Sequence, residues 1–164
     1  MQKQDWIRAL NMTEHVEGGY FCESYRARQQ MDTDREGCQR AVMTSIYYML
    51  TDDRPVDHLH LNRSNILHYF QAGSPITYLL LDPQKGILQR VTLGLDFTAG
   101  QVPQLCVPGG IWKAAVLEQG TYGLLGEAVA PGFDYRDMNV AGSAWVQEMF
   151  PQHWDALQHV VRVK

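Results

Sequence analysis

The stretch HLHLNRSNILHYFQAG, His58 to Gly73, holds three of the chain's six histidines and reads as two short β-strands around a polar turn. Side chains on a strand alternate between its two faces, so His58 and His60 are expected to point the same way. If that face is interior, both imidazoles enter one cavity. Such a pair suits metal ligation by neutral nitrogens or acid–base work near neutral pH. The plainer alternative is surface histidines, or core histidines whose hydrogen bonds are met.

Outward from this stretch the texture repeats. Segments rich in Val, Ile, Thr, Tyr and Leu run over Ala41 to Leu50, Asp57 to Leu61, Ile66 to Gln71, Ile76 to Leu81, Leu88 to Leu93, Gln104 to Val107, Trp112 to Leu117 and Tyr122 to Ala130. The links between them are short. Ala72-Gly73-Ser74-Pro75 and Asp82-Pro83-Gln84-Lys85-Gly86 are turn sequences that join antiparallel strands. Parallel strands would need helix-length crossovers, and the chain has none here. An all-β sandwich or barrel follows, in which closure of the sheet removes exposed edges. Trp6, Ile7 and Leu10 mark a short amphipathic helix from about Gln4 to Asn11. From Ser143 the pattern turns helical again. Pro151 suits the first turn of a last helix, whose stripe of Trp154, Leu157 and Val161 is expected to cover the barrel.

A chain of 164 residues, 45% hydrophobic and 20% charged, has the size and composition of one domain, residues 1–164, with a buried core. A net charge of -4 without a Lys/Arg run argues against nucleic acid and anionic membranes as partners, since both require clustered positive charge. Cys22, Cys38 and Cys106 lie far apart and form no CxxC, which fits a reducing compartment. No signal-peptide core or membrane-length apolar run is present, so a cytoplasmic location is expected.

Several motifs resemble those of the cupins, small β-barrels whose first motif reads G-x5-HxH-x3,4-E-x6-G and whose second reads G-x5-PxG-x2-H-x3-N. His58-x-His60 and Gly73 match the first, and Pro108 and Gly110 the second. The glutamate position falls near Asn65 or Ile66, and Lys113 stands where the metal-binding histidine would be. A lysine ammonium repels a divalent metal, so neither a metal nor another cofactor is expected. A site built from His58, His60 and His68 is the remaining metal alternative. HVEGGYFCESYR at His15–Arg26, NRSNILH, VPGGIWKA and APGFDY resemble, in order, the cupin subfamily labelled predicted sugar epimerase. Glu17 to Glu23 is also similar to an early motif of the dTDP-4-keto-6-deoxyglucose 3,5-epimerases, which are metal-free cupin-like barrels.

The resemblance implies an antiparallel jelly roll with short terminal helices that binds a sugar-like small molecule. It also implies a homodimer in which the amino-terminal strand extends a neighbour's sheet. The implied reaction is epimerisation of a keto sugar, free or nucleotide-linked. A base removes the proton alpha to a carbonyl, a cationic group stabilises the enolate oxygen, and an acid returns the proton. On that reading His58 is the base, Lys113 or His68 the enolate stabiliser, and Tyr69, Tyr78 or Tyr20 the acid. Phe21, Glu23, Arg26, His60, Asn62, Trp112 and Asp134 complete the expected binding set, with Phe21 and Glu23 on one strand face. The alternatives are a cupin that binds a ligand without catalysis and a metal-dependent cupin enzyme.

Overall fold

The computed structural model describes residues 1–162. It begins with helix α1 (Lys3–Ala9), followed by strands β1 (Thr13–Glu14), β2 (Tyr20–Arg26), β3 (Gln30–Asp32), β4 (Gln39–Ala41) and β5 (Thr44–Thr51). Next come β6 (Val56–Asn62), β7 (Asn65–Gly73), β8 (Ile76–Asp82), β9 (Ile87–Leu93) and β10 (Gln104–Val107). The chain closes with β11 (Trp112–Val116), β12 (Tyr122–Ala130), β13 (Met138–Val140), α2 (Ser143–Met149) and α3 (Trp154–Leu157).

Two antiparallel sheets face each other as a jelly-roll sandwich. One has the order β1-β2-β5-β12-β7-β10 and the other β13-β6-β11-β8-β9, while β3 and β4 form a separate hairpin. The all-β expectation holds, and seven of the eight segments read from the sequence correspond to one strand each. Ala41 to Leu50 is the exception. The backbone N–H of Val42 donates to Gln29 and the carbonyl of Met43 accepts from Ala27. These bonds divert the chain between β4 and β5, which belong to different sheets.

The central strands β5, β8, β11 and β12 are covered on both faces, which explains their nearly continuous apolar runs. In β8, Ile76, Tyr78 and Leu80 point between the sheets, with Tyr48, Leu50, Leu93 and Leu125. Leu79 and Leu81 point the other way and meet Val146, Phe150, Leu157 and Val160 of the carboxy-terminal segment. Across the sandwich, Met49 and Leu124 pack under Trp6, Ile7 and Leu10 of α1. Each buried leucine of this kind contributes about 1.5–3 kcal/mol. The last helical segment starts at Pro151 as expected, which opens a 3-10 turn after α2 and leads into α3. It covers the sheet.

Candidate functional site

One end of the sandwich holds a cavity of about 360 Å³. That volume lies within the ordinary range for small-molecule sites. Glu23, Phe21 and Arg26 reach it from β2, Tyr48 from β5, His60 and Asn62 from β6, Lys113 from β11 and Glu127 from β12. Phe133, Asp134 and Tyr135 form part of its rim.

The polar wall is set by an irregularity in one strand pair. Lys113 pairs with His60, but Ala115, two residues on, pairs with Asp57, three residues back, so β6 carries an extra residue there. Such a bulge resets which side chains face inward. Asp57 and His60 both line the cavity, and His58 does not. The expected shared face of His58 and His60 is therefore corrected. The His58 backbone N–H and ring Nδ1 both lie against the Glu17 carbonyl oxygen, at 2.9 and 2.7 Å. The three-histidine alternative also fails to assemble, since among the described residues no group of three His, Cys, Asp or Glu side chains is arranged to hold a metal.

Lys113 and Asp57 form a buried pair, Nζ to Oδ2 3.9 Å, with side chains only 3% and 4% exposed. Burial pushes the Asp57 carboxyl up to about 8, and the nearby Glu127 and Glu17 push the same way, against the pull of Lys113 and Tyr48. His60 Nδ1 lies 2.7 Å from the His58 carbonyl, which can only accept, so Nδ1 carries the proton and Nε2 offers its lone pair. Burial, aided by Lys113, drives its proton affinity well below the usual histidine value, leaving it neutral.

Glu127 is held from behind. Its Oε1 is 3.2 Å from Nδ1 of the fully buried His68, which also lies 3.1 Å from the Tyr78 hydroxyl. Burial opposes charge on Glu127, but the hydrogen bond from His68 and the nearby Lys113 outweigh it and hold the carboxyl below the usual range. Burial keeps His68 low. A neutral His68 that donates Nδ1–H to an ionised Glu127 satisfies both, while His68 Nε2 has no partner. Above the cavity, His15 meets Phe21 and Tyr48 edge to face at 5.0 and 5.8 Å, and burial lowers its pKa to about 4.

Of the residues singled out from sequence, the cavity gathers Phe21, Glu23, Arg26, His60, Asn62, Lys113 and Asp134. Phe21 and Glu23 share its face, as alternation requires. His68 and Tyr78 stand behind its wall. Tyr20 instead donates to Asp53 at 3.2 Å outside the sandwich, Tyr69 is 38% exposed, and Trp112 stacks on Trp145 at 4.7 Å under the carboxy-terminal helices. Asp57, Tyr48 and Glu127 are what sequence reasoning missed. Glu127 had a signal, a lone carboxylate two residues from Leu125 and Val129 on the inner face of an apolar strand.

The Gly18-Gly19 step explains how β2 reaches the cavity. Gly18 has φ +125° and Gly19 φ +66°, and a Cβ at Gly18 would collide with the Val56 carbonyl oxygen at the start of β6. The Tyr48 hydroxyl donates to the Gly18 carbonyl at 2.8 Å, anchoring the crossing.

Comparison with known proteins agrees with this architecture. The chain is 36% identical over 147 residues to "Uncharacterized protein YML079W" of Saccharomyces cerevisiae, covering 82% of this chain and 72% of that one. The crystal structure of protein SO0799 from Shewanella oneidensis superposes with a TM-score of 0.91 at 32% identity, covering 100% of this chain and 99% of that one. A hypothetical protein from Leishmania major superposes with a TM-score of 0.89 at 31% identity, over 98% and 99%. The family described as "Cupin superfamily (DUF985)" matches residues 4–141. With two facing antiparallel sheets, a cavity at one end and that match over most of its length, the chain belongs to the cupin superfamily.

Proposed function

We propose that the cavity binds a small hydroxy-carbonyl compound of keto-sugar size and moves a proton at the carbon alpha to its carbonyl. The observation that carries this reading is the buried Asp57–Lys113 pair facing the cavity. A general acid–base group works best when its pKa lies near the operating pH, and Asp57 at about 8 meets that requirement. In its carboxylate form Asp57 takes the alpha proton. The Lys113 ammonium, 3.9 Å away, then stabilises the enolate oxygen. Asp57, now a carboxylic acid, returns the proton. Because one carboxyl both removes and returns it on one face, isomerisation between adjacent carbons is favoured over inversion, with the proton of the neighbouring hydroxyl passing to the former carbonyl oxygen in the enediolate. His60 Nε2 and Asn62 are placed to hold substrate hydroxyls.

The test is deuterium incorporation from D2O into a panel of aldoses and ketoses, followed by proton NMR. Asp57→Asn and Lys113→Met each lower the exchange rate by about 100-fold or more. His58→Ala leaves it within a few-fold, because His58 lies outside the cavity. An absence of exchange across the panel, or full exchange in Asp57→Asn, refutes the proposal.

A further inference from the structure

We infer that the cavity selects an uncharged polyhydroxyl ligand and that Glu127 is the residue that reads its hydroxyls. Each cation of the cavity wall already has a carboxyl group beside it, and the ionised Glu127 adds a negative charge. Lys113 faces Asp57 at 3.9 Å, and at the rim Arg26 grips Glu23 with two hydrogen bonds of 3.0 and 2.7 Å. Asp134 is likewise held by Arg136, at 2.9 and 2.7 Å. A phosphate or carboxylate entering this space faces the charge of Glu127 and must compete with the carboxyl groups already beside Lys113 and Arg26 in a desolvated site, which is costly.

What the wall does leave free is hydrogen-bonding capacity. Glu127 is 7% exposed, its Oε1 is engaged by His68 at 3.2 Å, and no protein hydrogen bond among the described residues reaches Oε2. That oxygen is left to the cavity, which Glu127 lines. The Asn62 amide, 6% exposed, and His60 Nε2, 3% exposed, are in the same position, as is Lys113 Nζ. Two acceptors, one amide that both donates and accepts, and one ammonium donor around a volume of about 360 Å³ match a ring or chain of hydroxyls. A site built to bond hydroxyls rejects ligands that leave those groups unpaired.

His68 and Tyr78 act as positioning residues for Glu127. They hold one carboxylate oxygen so that the other points into the cavity.

This inference deepens the proton-transfer reading by naming its substrate class, and it is tested by binding alone. Pentoses and hexoses, aldoses and ketoses, are titrated calorimetrically into the intact protein beside their phosphate esters and sugar acids, for example D-fructose with D-fructose 6-phosphate and D-glucose with D-glucuronate. At least one neutral sugar is expected to bind tenfold or more tightly than its charged counterparts. In Glu127→Gln, with circular dichroism confirming the fold, that neutral sugar weakens at least tenfold and the gap to its phosphate ester narrows. Tighter binding of a phosphate ester, as when Arg26 releases Glu23 to take it, overturns the inference, and so does a panel in which no neutral sugar binds. Binding of a neutral sugar without deuterium exchange upholds this inference and removes only the proposed chemistry. Exchange confined to the charged sugars does the reverse.

Discussion

Asp57 and Glu127 share a cavity and have opposite proton preferences, and the difference lies in what each touches. Asp57 has a buried lysine 3.9 Å away and an Oδ1 with no hydrogen bond, so burial wins and its pKa rises to about 8. Glu127 is also buried, but the His68 hydrogen bond and Lys113 favour its charge, and its pKa falls. The consequences for stability have opposite signs. A raised carboxyl binds its proton more tightly in the folded state, so the stability it contributes is present below the ordinary pKa of 3.8 and is lost as pH rises towards about 8. A lowered carboxyl contributes stability above its ordinary 4.5 and loses it as acid protonates the folded form. Asp57→Asn is therefore expected to stabilise the protein at pH 7 by on the order of a few kcal/mol while reducing activity. Urea unfolding from pH 4 to pH 9 checks this. The wild type loses stability across the window, and the variant follows a flatter curve.

At the scale of elements, one extra residue in β6 decides which side chains become chemistry. Strict alternation over Val56–Asn62 would group Asp57 with Leu59 and Leu61 and put His58 beside His60. The bulge opposite β11 instead sends Asp57 and His60 inward and leaves Leu59 in the layer under the helices. Nothing in HLHLN marks a bulge, because its cause is the register of a partner strand some fifty residues away. Turns such as Asp82 to Gly86 were legible because their residues dictate local geometry. The hairpin β3–β4 and strand β13 were not, because each of these strands has only three residues and β3 is exposed. The adjacent glycines Gly18 and Gly19 are visible in HVEGGYFCESYR, but nothing in that run says which strand they approach. Gly18→Ala is expected to cost about 1–3 kcal/mol or more in stability, measured by urea unfolding, since the Val56 carbonyl and the positive φ both resist a side chain. An unchanged midpoint would mean that the crossing rearranges freely.

The whole molecule separates stability from the site. Three apolar clusters, between the sheets and on each outer face, carry the packing, and the polar residues concentrate at the open end of the sandwich. A core substitution far from the cavity therefore weakens the fold without touching the chemistry. Leu157→Ala, at a fully buried position beneath the five-stranded sheet, is expected to lose about 2–5 kcal/mol by denaturant unfolding. At a temperature where it remains folded, its ligand affinity stays at the wild-type value. The cupin framework was readable in the histidine pair, Pro108, Gly110 and the turns, whereas the balance of charge inside it depends on residues from five separate strands.

The central claim is that this sandwich encloses a carboxyl poised to exchange a proton near neutral pH. Its most direct test is a carbon-13 NMR titration of the Asp57 side-chain carboxyl, assigned by comparison with Asp57→Asn. The predicted result is a midpoint near 8, moving lower in Glu127→Gln as a neighbouring negative charge is removed. A midpoint near the ordinary aspartate value of 3.8 would contradict it.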